Sequence, residues 1–141
     1  MFSKFSEYVD EKDIYGNSII ADVAAKNYNG VEGKLFSLLR ASEDKESINF
    51  RGQSSLFQAV EKGTAYTAKI LLSIGINVNH TDSYERIALF RIDGSSDKEV
   101  KEKLKYLIEA GINIEQLNKS KKSAFDVNEK ISDLKDWAIE L

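Results

Sequence analysis

Proline and cysteine are both absent from the 141 residues, and histidine and tryptophan occur once each. The missing cysteine removes disulfides and thiolate chemistry and fits a cytoplasmic setting. The missing proline means that no helix start is pre-set by a pyrrolidine ring. A lone imidazole, His80, with no thiolate beside it makes a poor zinc site, and the sequence places it in a loop as a solvated histidine. Long apolar runs are missing too. None approaches the roughly 18 residues of a membrane span, and residues 1–8 are too polar for the hydrophobic region of a signal peptide. Acidic residues outnumber basic ones, 23 against 20, for a net charge of -3 and a pI near 5.3. That balance argues against non-specific nucleic-acid binding, which needs a basic face.

Catalytic groupings are equally scarce. Asp10-Glu11 and Glu43-Asp44 are carboxylate neighbours on polar, loop-like segments, whereas acid–base work needs two carboxylates held in unlike environments. Gly30-Val-Glu-Gly33 lacks the preceding strand and the Lys-Ser/Thr ending of a phosphate loop. Glu99, Glu102 and Glu109 interleave with Lys98, Lys101, Lys103 and Lys105, a pattern that reads as a solvated, salt-bridged helix face. The cluster Lys119, Lys121 and Lys122 reads as a solvated turn. No catalytic residue, metal ligand or cofactor is expected.

What is present is a period. Gly75-Ile-Asn-Val-Asn79 returns 36 residues later as Gly111-Ile-Asn-Ile-Glu115, and Leu71-Leu72 returns as Leu107-Ile108. Asn49 and Asp82, which open successive units, are 33 residues apart. A repeat of this length marks a stack of small helical units. Within the central unit, Gly52-Gln-Ser-Ser-Leu-Phe-Gln-Ala-Val, then Gly63, then Leu71-Leu72-Ser-Ile-Gly75-Ile-Asn-Val-Asn79 resembles one complete ankyrin repeat. Asn49 stands for that family's opening Asp, Ser54 for its Thr, Ser55 for its Pro and Phe57 for its His. Ser123-Ala-Phe-Asp126 resembles the variant found in C-terminal capping repeats.

The resemblance implies an all-α, ankyrin-like helical solenoid of stacked helix-turn-helix repeats with short hairpin loops. Residues 1–12 would form a capping helix with Phe2, Phe5, Tyr8 and Val9 on its apolar face. Residues 13–48, 49–81 and 82–117 would be repeats, and 118–141 the C-terminal cap. In the first unit Ser18 is placed to cap the first helix, and Leu35, Phe36, Leu38 and Leu39 should carry the second. The extra residues of that unit should lengthen its inter-helix loop. In the third, Leu89, Phe90 and Ile92 should form an apolar helical face, and Ser96 or Asp97 should cap the next helix. Ile131, Leu134, Ala138 and Leu141 fall on one stripe of a final helix, with Trp137 packed beside it. Glu85 and Lys121 occupy turn positions that favour glycine. The left-handed backbone would cost Glu85 roughly 1 kcal/mol, so a reshaped hairpin is the alternative there. Phe57 and Phe90 should replace by apolar packing the bonds that the family's histidine makes.

For function the resemblance implies non-catalytic recognition of a partner protein through hairpin tips and a concave face. The expected contacts are Tyr15 and Asn17; Phe50, Arg51 and Gln53; Ser83, Tyr84 and Arg86; and Lys119 and Lys122. Tyr, Phe and Arg are the types that dominate binding hot spots. Phe57, Val60 and Glu61 are the alternative, concave location. A cytoplasmic protein, monomeric when unbound, with no nucleic acid or membrane partner is expected. Two narrower roles are an immunity or inhibitor protein that occludes a basic toxin, and a secreted effector that binds a host protein.

Overall fold

The computed structural model describes residues 8–141. Within them the chain is all-helical and no strand occurs. The elements are α1 (Ile19–Ala24), α2 (Val31–Ala41), α3 (Ser55–Glu61), α4 (Ala65–Ser73), a 3-10 turn (Ala88–Arg91), α5 (Asp97–Glu109), α6 (Ala124–Val127) and α7 (Lys135–Ile139). They pack in two rows. α1, α3, the 3-10 turn and α6 touch in that order, and α2, α4, α5 and α7 do the same behind them. The core lies between the rows and includes Leu35, Leu39, Leu56, Phe57, Leu71, Leu89, Leu104 and Leu107.

Four turns of one geometry precede the front row. In each, an Asp or Asn (Asp13, Asn49, Asp82, Asn118) accepts on Oδ1 from the backbone N–H groups two and four residues on. Its own carbonyl accepts from the fourth residue of the turn, and its N–H donates to the fifth residue's carbonyl. Short side chains of this kind mimic a backbone turn. The fourth residue takes positive φ, as Gly16 (81°), Gly52 (78°), Glu85 (62°) and Lys121 (61°). So the hairpin at Glu85 is not reshaped. Four net bonds at about 0.5–1.5 kcal/mol each outweigh a left-handed cost of about 1 kcal/mol.

The turns are also joined to one another. Phe50 N–H donates to the Tyr15 carbonyl (3.1 Å), Ser83 N–H to Arg51 (3.0 Å) and Lys119 N–H to Tyr84 (3.0 Å). Behind the second row, the loops after α4 and α5 are tied as well. Asn79 Oδ1 accepts from Asn113 N–H at 2.7 Å, and its Nδ2 donates to the Gly111 carbonyl. Asn77 N–H donates to the Glu46 carboxylate. Gly63 sits where α1 comes close to the start of α4: a Cβ there would stand 2.0 Å from the Ala24 carbonyl oxygen. The same carbonyl accepts from Thr67 Oγ1 at 3.2 Å.

Several local expectations hold. Ser18 Oγ accepts from Ala21 N–H, and Ser96 Oγ from Glu99 N–H. The α1–α2 connection (25–30) is longer than the α3–α4 connection (62–64). Phe57 and Phe90 are buried. Trp137 packs against the core with Lys101 Nζ 5.5 Å from its ring.

Others need correction. Phe36 is 50% exposed, because Val31, Leu35, Leu38 and Leu39 already fill the inward stripe of α2. Leu89 and Phe90 are buried on a single 3-10 turn rather than a helical face. Ile87 at its start makes no side-chain cap, and Ile92 after it leaves the helical region. The last helix is only Lys135–Ile139, so Ile131 and Ala138 are buried while Leu141 is exposed. Lys103 is not on a solvated face: it is 1% exposed, with Nζ donating to the Asp93 carbonyl at 2.6 Å and 3.7 Å from Glu99. Burial pushes its pKa down, against the opposing pull of Glu99 and Asp93. Of the N-terminal stripe, Phe2 and Phe5 lie outside the described residues. Val9 is buried and Tyr8 is exposed.

Candidate partner-binding site

The turn geometry decides which side chains reach the surface. Residues two and three of each turn follow the Asx and precede the positive-φ position. They are Ile14 and Tyr15, Phe50 and Arg51, Ser83 and Tyr84, then Lys119 and Ser120. All eight are exposed. Tyr15, Phe50 and Tyr84 are 66%, 76% and 57% exposed, on three consecutive turns joined by backbone hydrogen bonds. A folding role accounts for little of that area, since buried rather than exposed apolar surface drives folding.

Between the first two turns and α3 lies a cleft of about 430 Å³. It brings together five of the expected residues: Tyr15, Asn17, Phe50, Arg51 and Gln53. Ser83, Tyr84, Arg86, Lys119 and Lys122 do not line it. The lining is completed by Gln58 and Glu61 of α3, Lys62 just after it, and Arg91 of the 3-10 turn. Of the concave alternative, Glu61 lines the cleft, whereas Phe57 and Val60 are core residues.

A polar network stiffens the wall. Asn49 Nδ2 donates to Asn17 Oδ1 (3.0 Å) and to Gln53 Oε1 (3.2 Å), and Gln58 Nε2 donates to the same Gln53 oxygen (3.3 Å). Glu61 pairs with Arg91 at the floor. Gln53 is therefore wall rather than tip, at 4% exposure. Its place directly after the positive-φ glycine turns it inward to Asn49. Arg86 is likewise engaged: it pairs with Asp82 at 2.8 Å and lies 5.0 Å from the Tyr84 ring. Arg51 has no ion-pair partner among the described residues.

His80 is not a freely solvated loop histidine. Its Nε2 lies 2.7 Å from the Gly52 carbonyl, and its ring meets Phe57 edge-on at 6.2 Å. The residue fastens the loop after α4 to the second turn. Among the described residues no group of three His, Cys, Asp or Glu could hold a metal ion. No helix there is long and apolar enough to cross a membrane.

Sequence reasoning missed Gln58, Lys62 and Arg91. Gln58 and Arg91 directly follow Phe57 and Phe90, which are 33 residues apart. The repeat itself could therefore have marked them as one column on the cleft wall. No protein-family model matches the chain, and no curated protein does.

Proposed function

We propose that the chain is an ankyrin-like helical solenoid that binds a partner protein through its hairpin tips and concave face, without catalysis. The observation that carries this reading is the row of exposed aromatics, Tyr15, Phe50 and Tyr84, on hydrogen-bonded turns. Two of the three also rim a cleft with a braced polar wall. Rigid planar side chains beside a preorganised wall bind at low entropic cost. The protein acts as a cytoplasmic monomer that meets its partner as a separate chain, with no cofactor.

The test is an affinity purification from the native organism with the wild-type chain and a Tyr15→Ala/Phe50→Ala variant in parallel. A stoichiometric partner held by the wild type and lost by the variant supports the reading. Partners retained equally by both place recognition elsewhere and refute it. A small toxin-like partner points to an immunity or inhibitor role, for which the acidic net charge is the favouring feature. Selective capture of host-cell proteins points to an effector.

A further inference from the structure

We propose that the cleft between the first two turns and α3 takes an acidic segment of the partner, with an Asp or Glu carboxylate next to an apolar residue. The inference rests on the partner-binding reading above and adds the chemistry of what is bound. The cleft wall is rich in donors and poor in acceptors of charge. Glu61 is the one carboxylate that lines it, and Arg91 already neutralises that group. Arg51 and Lys62 line it too, and both are exposed with no ion-pair partner among the described residues.

The cleft thus carries two uncompensated positive charges on a chain whose net charge is -3. A basic segment would meet like charge at the contact, which lowers its affinity and so favours an acidic one. A carboxylate would meet a planar guanidinium suited to bidentate pairing. The rim supplies the apolar half: Tyr15 and Phe50 stand largely exposed on either side of a backbone hydrogen bond. The local field therefore opposes the global one. Whole-molecule charge governs long-range approach, and the cleft selects the residue that finally enters.

The experiment pans phage-displayed random short peptides on the full chain. Selected peptides are then synthesised and titrated calorimetrically against wild type, Arg51→Glu/Lys62→Glu and Tyr15→Ala. Thermal melts check that each variant is folded; the single Arg51→Glu serves if the double variant is not. Selected sequences should contain Asp or Glu beside an apolar residue, and replacing that acid by its amide should abolish binding. Charge reversal should weaken binding at least about tenfold. Binding should also fall as salt rises toward about 1 M, where charges are screened over about 3 Å. Neutral or basic winners lost with Tyr15→Ala would overturn the acidic specificity while leaving tip binding intact. Winners that tolerate every variant would overturn both readings. No enrichment over an unrelated protein would overturn the peptide-in-cleft proposal and leave only recognition of a folded surface.

Discussion

Adding one methyl group at Gly63 should separate the two rows of helices. A Cβ built on Gly63 stands 2.0 Å from the Ala24 carbonyl oxygen, 2.6 Å from Thr67 Oγ1 and 2.9 Å from the Ala59 carbonyl oxygen. Two of these neighbours are backbone and cannot rotate away. Gly63→Ala must therefore push α1 from the start of α4, with an overpacking cost of about 1–3 kcal/mol. The movement also breaks the Thr67 hydroxyl bond to the Ala24 carbonyl. A buried acceptor left alone costs about 1–3 kcal/mol more. The sum is about 4 kcal/mol, a large share of the roughly 5–15 kcal/mol of a typical domain. Urea unfolding followed by circular dichroism reads it directly. With a slope near 2 kcal/mol/M the midpoint should fall by about 2 M. Gly33→Ala is the matched control, because nothing stands within 4 Å of its added Cβ and it lies inside α2. That variant should gain about 0.5–1 kcal/mol. If Gly63→Ala unfolds within about 0.5 kcal/mol of wild type, the close approach between the rows is wrong.

Glu85→Gly and Lys121→Gly should each raise the melting temperature, since they relieve a left-handed cost of about 1 kcal/mol partly offset by glycine's freedom when unfolded. A fall for both would show that these side chains stabilise the turns by contacts outweighing the strain. Lys103 has its folded pKa below the unfolded 10.5, so between those values the unfolded chain binds more protons and stability gains from rising pH. Comparing Lys103→Met with wild type by chemical denaturation across that window should show the wild type improving relative to the variant, and a flat difference would refute it. Tyr15→Ala and Phe50→Ala should each weaken partner binding by about 1–3 kcal/mol while stability moves far less, by about 0.5 kcal/mol. Several degrees of lost thermal stability with normal binding would assign the aromatics to the stack itself.

The period was legible because two short-range rules coincide at each turn. An Asp or Asn must open it and accept two N–H bonds, and three residues on the backbone must enter the left-handed region. Asn49 and Gly52 satisfy both rules visibly; Asp82 and Glu85 satisfy only the first in sequence, yet form the same turn. One strong Asx acceptor is thus enough to carry an unfavourable fourth residue. Phe36 and Lys103 show where residue type misleads and spacing does not. Phe36 falls outside the i, i+4, i+7, i+8 set of Val31, Leu35, Leu38 and Leu39. Lys103 falls inside the set Val100, Leu104 and Leu107, and is buried with them. Its long stem packs as an aliphatic chain while the ammonium reaches the Asp93 carbonyl. Helical position outranked hydrophobicity in both.

The candidate site divides along the same line. Tyr15, Phe50 and Arg51 could be placed on the surface from one turn alone, because their order within the Asx turn fixes their exposure. Gln53 could not, since its burial depends on Asn49 and Gln58 and on how α3 sits under the turn. Arg91 could not either, since it reaches the cleft from the following unit and meets Glu61 across that boundary. Tips are therefore local in sequence, while the cleft wall is assembled from residues about one repeat apart. That distinction also limits how the cleft can change. A substitution at an exposed tip strands no side-chain hydrogen bond, although the Phe50 ring also lies over Gly16 of the preceding turn. A substitution at Gln53 strands the buried Asn49 amide, at about 1–3 kcal/mol for a buried group left unpaired, and one at Glu61 or Arg91 breaks their half-buried ion pair. Under the proposed binding role, specificity is free to drift by changes at Tyr15, Phe50, Arg51 and Lys62, whereas the wall that braces them is tied to the fold.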